Sequence, residues 1–229
     1  DPFDRIDAGS SYVYMGTPPP APSTSYHILG ANAGDSSGQS VANAGDVNGD
    51  GIDDVIIGAP LASSATLSQC GIVYVLFGRV GRTFLDIDLL NFVSGPSVGV
   101  RMFGSVANGR VGRSVSGAGD VNGDGYDDVI VGAVPFPLSA SAGRAYVVFG
   151  RSPSSTFYDI NLNAALRGIS FLGSVLGEGT GYSVSGAGDF NGDGYADVVI
   201  GAFAATSDKG VNVGKAYVLF GRNTTTRAL

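Results

Sequence analysis

Asp46-Val47-Asn48-Gly49-Asp50-Gly51-Ile52-Asp53-Asp54 is the stretch on which the reading of this chain turns, because its pattern returns at Asp120–Asp128 and at Asp189–Asp197. Each copy has an oxygen-bearing side chain at positions 1, 3, 5 and 9 and glycine at positions 4 and 6. That is the chemistry of a hard cation: Ca²⁺ takes roughly six to eight oxygen ligands, and alternate residues of a tight loop can turn inward together. The predicted ligands of the first loop are the side chains of Asp46, Asn48, Asp50 and Asp54 with the carbonyl of Ile52. The second would use Asp120, Asn122, Asp124 and Asp128 with the carbonyl of Tyr126, and the third Asp189, Asn191, Asp193 and Asp197 with the carbonyl of Tyr195. Gly51, Gly125 and Gly194 supply the positive φ of a sharp turn. Asn-Gly and Asp-Gly are also ordinary turn formers, but three copies with the same ligand positions point to a metal. An EF-hand shares this opening and needs a bidentate Glu at position 12 between helices. Position 12 here is Ile57, Val131 or Ile200, inside β-branched runs ended by glycine, so each loop feeds a strand.

The loops begin at 46, 120 and 189, and repeats of this length point to solenoids or propellers. A glycine-rich lead precedes each loop, starting at Gly38, Gly112 and Gly181. The apolar strands Val55–Gly58, Val129–Gly132 and Val198–Gly201 follow, and then a further strand at 72–79, 144–151 or 215–222. Outer segments at 83–89 and 156–162 lead to strands ending at 102–106 and 171–175. Four short strands per unit with tight turns is the pattern of a propeller blade. The one stretch with a helical period is Asn161–Arg167.

The glycine-rich lead, the DxNxDG loop, the strand ending in Gly58-Ala59-Pro60 and the following YVxFG strand together resemble the FG-GAP repeat of integrin α subunits, over nearly the whole chain. The resemblance implies an all-β fold of four-stranded antiparallel blades, about three to three and a half of them here, with each calcium loop joining the first two strands of a blade. Leu29-Gly30 and Leu172-Gly173 stand where the family has Phe-Gly, and Gly132-Ala133-Val134 and Gly201-Ala202-Phe203 where it has Gly-Ala-Pro. Ala196 replaces Asp53 and Asp127 at position 8, which is not a required ligand.

One domain over 1–229 is expected: a half blade at 1–33, then repeats at 34–106, 107–175 and 176–229, the last lacking its fourth strand. Gly9–Gly16 aligns with Gly143–Gly150, so the chain starts on a third strand, and Ile28-Leu29-Gly30 aligns with Met102–Gly104. Three readings of these ends stay open: part of a larger propeller, an unusually small ring, or strands shared between copies, since an exposed strand edge is a template for another chain. Thr17–Pro22 reads as a stiff polyproline linker or, alternatively, as a recognition or O-glycosylated segment.

Composition narrows function. With 44% hydrophobic residues the chain is not disordered, and the 37 glycines lack a collagen period. The net charge of −7 and the lack of a basic stripe argue against nucleic acid. Eleven of the twenty acidic residues lie in the three loops, so the acidity is mostly metal-site charge. No apolar run approaches the ~20 residues of a membrane span. Opening at Asp1 without methionine reads as a processed product or a fragment. Cys70 is the sole cysteine and is expected to be a buried small residue, with intermolecular pairing the other reading. Asn223-Thr224-Thr225 is an N-glycosylation acceptor. These features favour an extracellular or cell-surface protein.

Catalytic candidates are few. His27, the single histidine, lies in a strand pattern, Glu178 reads as a solvated acid in a glycine-rich turn, and Tyr74, Tyr146 and Tyr217 recur at a packing position. The expectation is a non-enzymatic module with three Ca²⁺ sites that binds other proteins or its own copies through propeller faces or edge strands. The alternative is an accessory or glycan-binding propeller of a larger secreted enzyme.

Overall fold

The computed structural model describes residues 5–14, 25–81, 86–152, 158–162, 167–208 and 210–223. The polyproline segment and residues 163–166 of the helical candidate lie outside them. Among the described residues fifteen strands form four sheets, each a blade or part of one. Blade I holds β1 (Ser10–Tyr14) and β2 (Ser25–Leu29). Blade II holds β3 (Ser40–Gly45), β4 (Asp54–Ala59), β5 (Ile72–Leu76) and, after the short β6 (Ile87–Asp88), β7 (Gly99–Phe103). Blade III holds β8 (Val111–Gly119), β9 (Asp128–Ala133), β10 (Arg144–Val148) and, after the short β11 (Ile160–Asn161), β12 (Gly168–Leu172). Blade IV holds β13 (Thr180–Gly188), β14 (Asp197–Ala202) and β15 (Lys215–Leu219). Strands within a blade are sequential antiparallel neighbours, as short connections dictate.

The outer segments do something that periodicity does not reveal. β6, between the third and fourth strands of blade II, pairs in parallel with β2 of blade I, and β11 of blade III pairs in parallel with β7 of blade II. Each blade thus reaches back and extends its predecessor. Arg101 on β7 and Asp159 reinforce the second of these links, with Nη2–Oδ2 at 2.7 Å.

The core lies between blades. On β5, Val73 and Val75 face blade III while Ile72, Tyr74 and Leu76 pack toward blade I. On β10, Tyr146 and Val148 face blade II while Ala145 and Val147 face blade IV. Both faces are covered, which is why these strands are continuously apolar instead of alternating. Blades approach to backbone contact at recurring glycines: a Cβ on Gly58 would meet the Gly112 carbonyl oxygen at 2.1 Å, and one on Gly132 the Gly181 oxygen at 2.0 Å. Among the described residues no helix is long and apolar enough to cross a membrane.

Among the described residues the first and last sheets share no paired strand: β15 pairs only with β14, and β2 pairs with β1 and β6.

Candidate metal loops at the blade junctions

Each aspartate loop joins the first and second strands of its blade, β3 to β4, β8 to β9 and β13 to β14, so all three lie at the same end of the strands. The position-1 aspartate organises the turn. Asp46 Oδ1 accepts from the Gly49 and Asp50 N–H groups at 2.7 and 3.0 Å, and Oδ2 from Gly51 N–H at 2.8 Å. Asp120 and Asp189 repeat the pattern. Position 3 meets position 5: the amide nitrogens of Asn48, Asn122 and Asn191 donate to Asp50, Asp124 and Asp193 at 2.8–3.0 Å. Position 5 accepts the N–H of position 7, namely Ile52, Tyr126 and Tyr195. Gly51, Gly125 and Gly194 have φ of 84°, 88° and 89° with nothing beside an added Cβ, so backbone conformation alone requires glycine there.

Position 9 differs. Asp54, Asp128 and Asp197 are at most 1% exposed, at the first residue of the second strand. Each clamps two backbone groups: Asp54 accepts from Val47 and Gly78 N–H at 3.0 and 2.8 Å, Asp128 from Val121 and Gly150 at 2.9 Å, and Asp197 from Phe190 and Gly221 at 2.9 and 2.8 Å. Burial pushes Asp54 and Asp128 up to about 7 despite those hydrogen bonds, and the position-5 and position-1 carboxylates beside them push in the same direction. Among the described residues no three His, Cys, Asp or Glu side chains sit close enough to form a ready-made metal cage. The structure therefore brings positions 1, 3 and 5 together in one turn and places position 9 beneath it as a backbone clamp.

Sequence reasoning missed that the loops grip one another. Asp127, at position 8, accepts the Asp46 N–H of the preceding loop at 2.8 Å, and its own N–H donates to the Asp46 carbonyl. Ala196 keeps only the second bond, to Asp120. The rings of Tyr126 and Tyr195 cover Gly49 and Gly123 of the preceding loop, where an added Cβ would meet them at 2.3 and 2.4 Å. Burial follows: Asn48 and Asn122, each under a following blade, are 1% and 3% exposed, whereas Asn191 is open to solvent. The recurrence of tyrosine at position 7 was the available signal.

Glu178 is not a solvated acid. It is 1% exposed and accepts from Ser174 N–H and Oγ, Val175 N–H, Thr180 Oγ1 and Tyr217 Oη at 2.7–3.2 Å. Burial alone would raise its pKa, but the Tyr217, Thr180 and Ser174 hydroxyls and the Val175 N–H together hold it down to about 2. His27 packs edge-on to Tyr12, centroids 4.7 Å apart, and Cys70 is wholly buried. Asn223 is exposed, and the rest of its acceptor triplet lies outside the described residues.

The opposite end of the strands is basic and aromatic. Arg110 lies over the Phe136 ring at 4.5 Å, Arg113 over Tyr182 at 4.5 Å, and Tyr182 packs on Phe203 at 4.4 Å. Phe136 and Phe203 are 60% and 51% exposed. Phe136 also borders a cavity of about 440 Å³ with Arg144, Tyr146 and Leu172.

Comparison with known proteins agrees with this construction. The sequence model of the FG-GAP repeat matches residues 37–76, 111–148 and 180–219, each running from the first strand of a blade to its third. Mouse integrin alpha-IIb is 31% identical over 175 residues, 74% of this chain and 15% of its own length. Integrin alpha-5 of Xenopus laevis is 33% identical over 178 residues, 78% of this chain and 16% of its own. Integrin alpha pat-2 of Caenorhabditis elegans is 33% identical over 176 residues, 72% of this chain. The chain spans about a sixth of the length of these curated relatives. With three repeat matches over more than half its length and three loops interlocked at one end of its blades, the chain belongs to the FG-GAP repeat family.

Proposed function

We propose that this chain is a non-enzymatic, extracellular β-propeller module that binds Ca²⁺ at three loops and presents its blades to protein partners. Asp46, Asn48, Asp50, Asp54 and the Ile52 carbonyl would hold the first ion, and the equivalent residues from Asp120 and from Asp189 the other two. A bound cation would neutralise carboxylates that now repel one another. The observation that carries the reading is the convergence of positions 1, 3 and 5 in each of three turns beside a buried position-9 carboxylate, with Asp54 and Asp128 pushed up to about 7 by burial and by the two carboxylates next to them. Such a group is destabilised when ionised, and a divalent ion relieves it.

The partner end is the one opposite the loops. Arginine and aromatic residues stacked in the open, beside a concave cavity, are the side chains that carry most binding energy in protein interfaces. Groups capable of chemistry are engaged in packing: Glu178 is saturated with donors and His27 packs edge-on to Tyr12. An extracellular setting fits loops of this class, whose affinities run to ~10⁻⁴–10⁻³ M in extracellular modules. Asn223 would then be open to glycosylation.

Isothermal titration of Ca²⁺ into chelator-treated protein tests the proposal. Three binding events are expected, with Asp50→Ala, Asp124→Ala and Asp193→Ala each removing one. Absence of binding heat at millimolar Ca²⁺ would overturn it.

A further inference from the structure

The three turns that lead from the last strand of one blade to the first strand of the next share one construction. The N–H of Asp35, Gly109 and Glu178 donates to the carbonyl three residues earlier, that of Asn32, Val106 and Val175, at 3.1–3.2 Å. The glycines that open the turns, Gly30, Gly104 and Gly173, donate to the Gly9, Gly71 and Gly143 carbonyls at 2.9–3.0 Å. Two of the turns then supply a buried carboxylate. Asp35, 6% exposed, accepts from the Asn32 N–H at 3.0 Å. Glu178 accepts from Ser174 N–H and Oγ, Val175 N–H, Thr180 Oγ1 and Tyr217 Oη.

The middle turn keeps the donors and lacks the carboxylate. Ser105 stands for Ser174, Val106 for Val175, and Tyr146 on β10 for Tyr217 on β15, but Gly109 holds the position of Glu178. Ser105 Oγ is buried with no hydrogen-bond partner, and among the described residues no acceptor is found for the Ser105 and Val106 N–H groups. A buried hydroxyl left unpaired calls for a reason. These same residues wall the cavity of about 440 Å³ between blades II and III, together with Gly109, Arg144 and Phe136. That volume lies in the range of ligand sites. No residue on its wall is acidic, and Arg144 is the charged one. Arg110 stands beside it, over the Phe136 ring.

We propose that this cavity is a carboxylate site, filled by an aspartate or glutamate side chain of a protein partner. This rests on the reading of that end of the blades as the partner end, and names the chemistry that the partner brings. An ionised carboxyl accepts several hydrogen bonds at once, as Glu178 does one blade further on. Ser105 Oγ and the two N–H groups repeat three of the donors of Glu178, and Tyr146 stands where Tyr217 does. The counterpart of Thr180 is Val111, which donates nothing from its side chain, but Arg144 on the wall adds a positive charge. Hydrogen bonds to an ionised acceptor are the strong kind. Phe136, 60% exposed at the rim, offers the flanking residues of a partner segment an apolar surface that a free carboxylate ion would not use.

Amide shifts of the isotope-labelled, Ca²⁺-loaded chain, titrated with the end-blocked tripeptides Ala-Glu-Ala and Ala-Gln-Ala and with acetate, test the proposal. The glutamate peptide is expected to move the Ser105 and Val106 amides saturably and to bind more tightly than acetate, while the glutamine peptide leaves them in place. Ser105→Ala should weaken the glutamate peptide roughly tenfold. Its melting temperature should not change, because the hydroxyl holds nothing in the free protein. Gly109→Glu should abolish binding by supplying the carboxylate from within. A Cβ there comes within 2.8 Å of the Val106 carbonyl oxygen, so Ser105→Ala carries the test if that variant folds poorly. No shift, an equal response to the glutamine peptide, or equally tight acetate would overturn the proposal. Shifts confined to Tyr182 and Phe203 would overturn the carboxylate site and leave the partner end standing. Calcium titration of the same samples keeps a failed metal reading distinct from both.

Discussion

Asp128 and Asp124 stand four residues apart in one loop and do different work. Asp128 is buried and holds the Val121 and Gly150 N–H groups, so Asp128→Ala strands two buried donors. A loss of about 3 kcal/mol is expected in denaturant titrations even in chelator, with a further loss when calcium is present. Asp124 is exposed, and Asp124→Ala should lower stability chiefly when calcium is present, because ligand binding to the folded state is what it removes. Equal losses in chelator would contradict the division of roles. Position 8 gives a second contrast: Asp127→Ala loses the bond from Asp46 N–H and should cost about 1 kcal/mol. Asp53→Ala, which loses a bond from Asn43 Nδ2 of its own hairpin, should stay within about 0.5 kcal/mol. The ligand pattern was legible in the spacing, but the grip of Asp127 was not, because its partner lies in another repeat.

Where strands meet, Glu178 ties the turn after β12 to Tyr217 on β15. Its folded pKa lies below the ordinary 4.5, so its contribution is present above that value and is lost as pH falls toward about 2. Glu178→Gln should therefore destabilise near pH 7, and the gap from wild type should shrink as pH drops below 4.5. A gap constant with pH would show that the carboxylate charge is irrelevant. In the third loop Asn191 is exposed and Ala196 stands at position 8. It is expected to bind Ca²⁺ several-fold more weakly than the first two, as terbium luminescence titrations of single-loop variants would report. The main strands were readable because each repeat restates the same apolar run between the same glycines. The short parallel strands β6 and β11 were not, since each pairs with the preceding blade and its two residues carry no period of their own. Glu178 was misread for a related reason: a glycine-rich turn looks exposed until a neighbouring blade covers it.

For the molecule as a whole, repetition made the architecture visible, while the ends stayed ambiguous because strand type does not reveal which edge is filled. The blades cohere through interblade clusters and through loops that touch in sequence along one end, so cations there would brace the whole row. At ten to a hundred times its Kd, each occupied site adds about 1.4–2.7 kcal/mol to folding. Three sites in a chain of this size should shift Tm by on the order of 10 °C. Calorimetric melting in millimolar Ca²⁺, in chelator, and after Ca²⁺ is restored measures this directly. The expected result is a lower Tm in chelator, recovered on adding Ca²⁺ back and not with the same concentration of Na⁺. A single Tm in all three conditions would contradict the account.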